Sequence, residues 1–322
     1  MELPLDRSPA SLADWVELEL LLSSSKALSA TEIQARLAEE PGPGRSKLHS
    51  QSDEDEYWSR ILSDLWRELN ARARRAGEAY PFVTAAEDVS LIGADWRSWR
   101  TYTFLVAVAA RHLYRFDVSV NATARLFEYV VTCALANYLP GQARRVGWPY
   151  ERGEPGFEER TRRLAEVGMR EPWGGLTGVS PDVKDHGLDV IAWRSFEDGR
   201  PGQPIILCQC ATGTDFWDKK VDDAAWRLVI NFVVRPTPAI AFPVIPQLGE
   251  PWERSKWVGV SISGGLLFDR IRIATYAGPQ CLVESPVAAE FDAWLADCLP
   301  KLASAMPRTK GDEVPSREPA AV

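Results

Sequence analysis

The chain has 322 residues, 45% of them hydrophobic, and a formal net charge of −8. This length and apolar content allow a large buried core and predict two domains, while the acidic balance excludes a polybasic coat, so any nucleic-acid contact must come from local patches. Five scattered cysteines, no secretory leader, and a longest apolar run (Phe104–Ala110) far too short to span a bilayer predict a cytoplasmic protein with no membrane contact.

In chain order, Leu12, Trp15, Val16, Leu18, Leu20 and Leu21 set out an amphipathic helix. Ser29-Ala-Thr-Glu32 opens a second helix through Leu37, residues 41–52 form a polar loop, and Tyr57–Ala76 gives a third helix with Ile61, Leu62, Leu65 and Leu69 inward. Tyr80–Val83 and Val89–Ile92 then suit a two-stranded wing. Helix, helix, helix, wing is the order of a winged helix-turn-helix, and a helical interaction domain accounts for the same pattern. Arg72, Arg74 and Arg75 end the third helix; Arg72 and Arg74 are candidates for phosphate contact, against the alternative of a solvated basic helix end.

Helices are expected over Trp96–Tyr114, over Ala122–Tyr138 with Glu128 on it, and over Phe157–Val167 with Glu158, Arg160, Arg162 and Arg163. Arg162 and Arg163 are further candidates for nucleic-acid contact. Leu188–Trp193 and Pro204–Cys210 read as buried strands joined by the turn-forming stretch Glu197–Gly202. Asp189 and Gln209 are polar intruders in these strands, costly to bury unless partnered. A period of two puts Gln209 on one face with Ile205 and Leu207, so paired strands can bring the Asp189 carboxylate and the Gln209 amide to one point. Thr214 is placed to cap a helix from Asp215 to Val234, with Lys219 and Lys220 in its first turns. Strands over Ala239–Val244 and Leu266–Thr275 and a helix over Val287–Leu302, with Pro300 near its end, complete the fold. The expected division is 1–95, 96–306, and a disordered polar tail at 307–322.

Several chemistries lack their residues. No phosphate-binding Gly-Lys-Ser/Thr loop and no Gly-x-Ser-x-Gly elbow occur, and the only histidines are His49, His112 and His186. Asp185 beside His186 is a second-choice catalytic acid. Cys208-x-Cys210 has no second Cys/His pair at zinc-ligand spacing. An acid, a glutamine and a lysine on consecutive elements remain, a set suited to a hard cation such as Mg²⁺ or Mn²⁺ that keeps waters and activates one of them.

At these residues the sequence resembles the PD-(D/E)XK nuclease superfamily, most closely its Mrr-like restriction branch. Gly187-Leu-Asp189-Val-Ile is similar to that branch's Gly-Ile-Asp-Val strand, and Ile206-Leu-Cys-Gln209-Cys to its Gln-x-Lys strand. An upstream Phe-Glu pair completes the pattern, supplied by Phe127-Glu128 or Phe157-Glu158; Glu158 has the more usual spacing, and Glu128, on the more apolar helix, is preferred. The resemblance implies a restriction-endonuclease-like mixed α/β sheet flanked by helices, with an α-rich N-terminal region. It implies Asp189, Gln209, and the backbone carbonyl of Cys210 as metal ligands, Glu128 as a further catalytic acid, and Mg²⁺ or Mn²⁺ as cofactor. The expected lysine is replaced by Ala211; the resemblance points instead to Lys220 on the following helix, with Lys219 next in line. The implied activity is DNA endonuclease within a prokaryotic restriction or antiphage system, alongside a partner such as an ATPase or helicase, and compatible with homo-oligomers. The alternative is an inactive subunit of the same fold that binds DNA or a partner.

Overall fold

The computed structural model describes residues 8–39, 50–93, 95–111, 113–114, 116–147, 153, 155–176, 187–247 and 251–306. The expected tail at 307–322, much of the 41–52 loop, Asp185 and all three histidines lie outside them.

Helix α1 (Pro9–Leu22) starts where Ser8 accepts the N–H of Ser11, and Leu12, Trp15, Leu18, Leu20 and Leu21 are buried. A short strand, β1 (Ala27–Ser29), leads into α2 (Ala30–Ala38), whose first turn is closed by the expected reciprocal pair of Ser29 and Glu32. Helix α3 (Gln51–Ala76) begins six residues before its apolar pattern, because Ser50 caps it and Asp53 and Glu54 complement its N-terminal dipole. The wing strands are β2 (Phe82–Thr84) and β3 (Asp88–Leu91), and β1 joins them in an antiparallel sheet of order β1-β3-β2. Three residues are too few to alternate visibly, which hid β1 in the sequence.

After a 3₁₀ turn at Trp96–Trp99 come α4 (Arg100–Ala110) and α5 (Val120–Tyr138). Strand β4 (Gln142–Arg145) follows, then α6 (Phe157–Arg163), which widens into a π-helical turn over Leu164–Met169. The central strands are β5 (Val190–Trp193) and β6 (Ile205–Cys210), and the connection α7 (Asp223–Val229) leads to β7 (Thr237–Ala241). Helix α8 (Pro251–Gly264), β8 (Leu266–Phe268), α9 (Arg270–Ala277) and α10 (Ala288–Ala305) close the chain, with Pro300 inside α10. The second sheet has the order β4-β5-β6-β7-β8: β4, β5 and β6 form an antiparallel meander, and β7 and β8 continue it in parallel. Parallel neighbours need crossovers, which α7 and α8 provide.

Both faces of this mixed sheet are covered. Val190, Ala192, Ile206, Cys208, Ala239 and Ala241 join a core that includes α5 and α10. Ile191, Trp193, Ile205 and Leu207 point the other way, onto Trp226 and Met169. Strands buried on both faces read as unbroken apolar runs, which is how β5 and β6 appear in the sequence. The first core runs without interruption from Leu12 to Met306, so residues on both sides of position 95 contribute to it. No helix among the described residues is long and apolar enough to cross a membrane.

Two expected elements are corrected. The strand expected over Leu266–Thr275 stops at Phe268, because Asp269 accepts the N–H of Arg272 and caps α9. The helix expected from Asp215 to Val234, capped by Thr214, is instead a single 3₁₀ turn at Phe216–Asp218, an extended Lys219, and the short α7 capped by Asp222. Aromatic burial overrides helix propensity here: Phe216 stacks on Phe242 at 4.5 Å, with Trp217 beside both, drawing the chain onto the end of the sheet.

Arg72 is corrected as well. It is fully buried, unavailable to nucleic acid, and ion-paired to Asp14 (2.6 Å), Glu17 (2.8 Å) and Glu68 (2.9 Å). Arg270 completes the cluster, bonding Asp14 at 2.9 and 3.0 Å and Glu17 at 3.1 Å. The hydroxyls of Tyr80 and Tyr102 donate to the two oxygens of Glu17. The heptad-like pattern of α3 gave no signal for this, because an arginine aimed inward looks the same in sequence as one aimed at solvent. Burial disfavours the charged form of Asp14, but Arg270 and Arg72 outweigh it and hold the carboxyl below its ordinary value.

Removing one member of a buried, hydrogen-bonded ion cluster strands the others, at about 3–5 kcal/mol. Glu17→Ala is therefore expected to lose that much stability in urea titrations, with Glu17→Gln losing less. A lowered folded-state pKa means the Asp14 contribution is fully present above pH about 4 and disappears as the pH falls through the lower folded value. Asp14→Asn should flatten the stability-versus-pH curve over that acid range.

Candidate active site

Asp189 immediately precedes β5 and is fastened to strands on both sides. Its N–H donates to the carbonyl of Cys208 (3.0 Å), and its own carbonyl accepts from Val146 (2.7 Å) and Gly147 (3.1 Å), which prolong β4. One carboxylate oxygen, Oδ2, accepts the N–H of Cys210 at 2.7 Å at the end of β6. The other, Oδ1, faces Gly147, where a methyl group would lie 3.1 Å from it and 2.7 Å from Oε2 of Glu128. Glycine thus leaves open the space that the two carboxylates share. Glu128 reaches this point from α5, where it is buried among Phe127, Val130 and Val131.

Arg145 of β4 donates from Nε to Oε2 of Glu128 at 2.6 Å and lies with its guanidinium over the Tyr129 ring at 5.6 Å. Both members of this pair are almost fully buried. The thiol of Cys210 belongs to the same cluster: burial above all, then Cys208 and the carboxylates of Asp189 and Glu128, push it well above its ordinary value, so it stays protonated.

The ladder register ends at Val190 and Cys208, and the Asp189 N–H bonds that same Cys208 carbonyl, so the expected meeting of the Asp189 carboxylate and the Gln209 amide does not form and the two side chains diverge. The amide nitrogen of Gln209 is directed to Gly187, 3.2 Å from where a Cβ would stand there, and Gly187 has a positive φ of 70° that disfavours any side chain. The amide oxygen of Gln209 is buried without a hydrogen-bond partner. The backbone carbonyl of Lys220 lies 3.5 Å from the same point at Gly187, so Lys220 comes beside Gln209 although no helix carries it there. Its side chain is exposed, whereas Lys219 is ion-paired to Asp215 at 2.8 Å.

The other candidates are elsewhere. Glu158 is exposed on α6, and the acid that meets Asp189 is Glu128. Arg74 is exposed near the end of α3. Arg162 bonds Glu159 and Glu166, and Arg163 bonds Glu159, all on the surface of α6 and the turn after it. Sequence reasoning missed Arg145 and Gly147. Arg145 ends the undetected edge strand β4, whose Gln-Ala-Arg-Arg carries no apolar alternation, and Gly147 lies just beyond it.

Among the described residues no three Asp, Glu, His or Cys side chains form a metal cage. The donor set is two carboxylates, Asp189 and Glu128, facing one space, while Gln209 turns away toward Gly187. Such a set fits a hard dication that takes its remaining ligands from water, backbone carbonyl and substrate phosphate. Comparison of the chain with family models, with curated proteins and with solved structures finds no significant match.

Two outcomes follow from this geometry. Gly147→Ala forces a methyl group against a carboxylate pinned by Arg145; it should cost about 1–3 kcal/mol by overpacking and weaken Mn²⁺ binding in calorimetry. Gln209→Met removes an unsatisfied buried acceptor, a group whose desolvation costs about 1–3 kcal/mol. The variant should therefore melt at the same or a higher temperature than wild type, and its gain in stability on adding Mn²⁺ should match that of wild type.

Proposed function

We propose that this chain is a metal-dependent DNA endonuclease with a restriction-endonuclease-like core, related to the Mrr-like branch of the PD-(D/E)XK superfamily and acting in a prokaryotic restriction or antiphage system. The observation that carries the reading is the meeting of Glu128 and Asp189 across Gly147, at the ends of adjacent strands of a mixed sheet. A mixed five-stranded sheet flanked by helices supports the core that the resemblance implies. The α1-β1-α2-α3-β2-β3 order with its three-stranded sheet likewise supports a winged helix-turn-helix N-terminal module.

Mg²⁺ or Mn²⁺ bound there would polarise the scissile phosphate and acidify a bound water. In this reading Asp189 is the principal ligand, fixed by the Cys210 N–H, and Glu128 is the second acid, its orientation set by Arg145. Cys210 offers its backbone carbonyl, and Gln209 would have to change rotamer to reach the same ion. Lys220 supplies the ammonium that neutralises charge developing on the phosphate.

One observation favours the second reading, a non-catalytic subunit of the same fold that binds DNA or a partner protein. The Arg145 guanidinium already neutralises Glu128, and Ala211 stands where a lysine is expected.

Plasmid cleavage in Mg²⁺, Mn²⁺ or EDTA, with and without a partner ATPase or helicase, separates the two. Asp189→Asn keeps an acceptor for the buried Cys210 N–H and should abolish cleavage with little change in melting temperature. Lys220→Ala should slow cleavage by roughly a hundredfold while DNA binding persists, and Lys219→Ala should change little. Absence of metal-dependent cleavage in the wild type under every condition would establish the non-catalytic reading in its place.

A further inference from the structure

Beside the carboxylate pair lies a cleft of about 760 Å³ between the edge strand β4 and α6. Arg144 lines it from the strand, and Arg160, Arg162 and Arg163 from the helix, while Glu159 is the one acid among its lining residues; the Arg145 guanidinium turns to the other face of the strand, toward Glu128. Trp193, Val146 and Gly168 also line it. A concentration of guanidinium groups in one concavity is conspicuous on a chain of net charge −8.

The cleft borders the candidate site through Arg160, which donates from Nη2 to the carbonyl of Val146 at 2.7 Å, next to Gly147. The outer arginines retain capacity for an anion. Arg144 is exposed and forms no ion pair among the described residues, and Arg163 engages Glu159 through Nε, leaving its terminal nitrogens as donors. Guanidinium forks match phosphate oxygens in geometry and are weakly hydrated, so they bind phosphodiesters at low desolvation cost. By contrast α3 begins with Asp53, Glu54, Asp55 and Glu56, which would repel a phosphate backbone.

We infer that the cleft between β4 and α6 holds the phosphodiester backbone of a DNA strand as it approaches Glu128 and Asp189, an inference that rests on the nuclease reading. Arg144 and Arg163 are its outer phosphate contacts and Arg160 the inner one. Binding there is independent of base sequence, since every lining cation addresses the backbone.

Fluorescence anisotropy with a labelled 20-base-pair duplex of arbitrary sequence, in EDTA and in the Asp189→Asn background, tests this without cleavage. The double variant Arg144→Ala/Arg163→Ala alters two surface side chains and should retain its melting temperature. Its affinity should fall roughly 10- to 100-fold at low salt, and the slope of log K against log salt should shrink by about 2, one unit for each phosphate that an arginine no longer neutralises. Arg74→Ala, on the exposed end of α3, should leave both quantities unchanged. Unaltered binding in the double variant, or an equal loss in Arg74→Ala, would overturn the assignment of the cleft. Loss of binding in the double variant together with a wild type that never cleaves would sink the nuclease reading and leave the cleft standing as a DNA site.

Discussion

Asp189 is the point where three strands are tied together. Its main chain bonds forward to β6 and back to the extension of β4, and its side chain closes the ladder by accepting the last N–H of β6. Buried backbone groups at strand ends must find partners, and here a carboxylate does what another peptide would otherwise do. One consequence is positional accuracy: a side chain held by the ladder itself does not wander, so the acid brought by α5 meets a fixed target. The other is that structural and chemical demands fall on the same residue, which makes Asn a more informative replacement than Ala.

The candidate site gathers a guanidinium, two carboxylates and a protonated thiol, and the arginine compensates the charge of Glu128. Buried carboxylates need such compensation, since an unpaired one would take up a proton. Under the proposed function, a divalent ion would have to compete with Arg145 for Glu128.

Much of this was legible from residues. The Ser29–Glu32 capping pair, the two apolar runs of β5 and β6, and the polar intrusions at Asp189 and Gln209 all carry local signals that survive folding. The preference for Glu128 over Glu158 rested on the apolar character of its helix, and that helix is the one packed on the sheet. What was not legible depended on contacts between distant segments. The Lys220 backbone comes beside Gln209 along a chain docked by Phe216 and Trp217, not along the helix its neighbours suggest. Strand β4 exists because β5 offers it a ladder, and its own sequence is polar. Arg72 and Arg270 are inward only because Asp14 and Glu17 are there to receive them.

That last cluster sets an order of events during synthesis. Arg270 bonds a carboxylate 256 residues earlier in the chain. At ribosomal speeds of 5–20 residues per second, helix α1 waits on the order of 10–50 s before its partner emerges. Until then Asp14 and Glu17 have Arg72 alone for company, and the apolar faces of α1 and α3 have no α9 to cover them. The N-terminal segment is therefore a nascent chain with exposed adhesive surface for much of its time on the ribosome, and its final closure coincides with completion of the sheet that carries the acid pair.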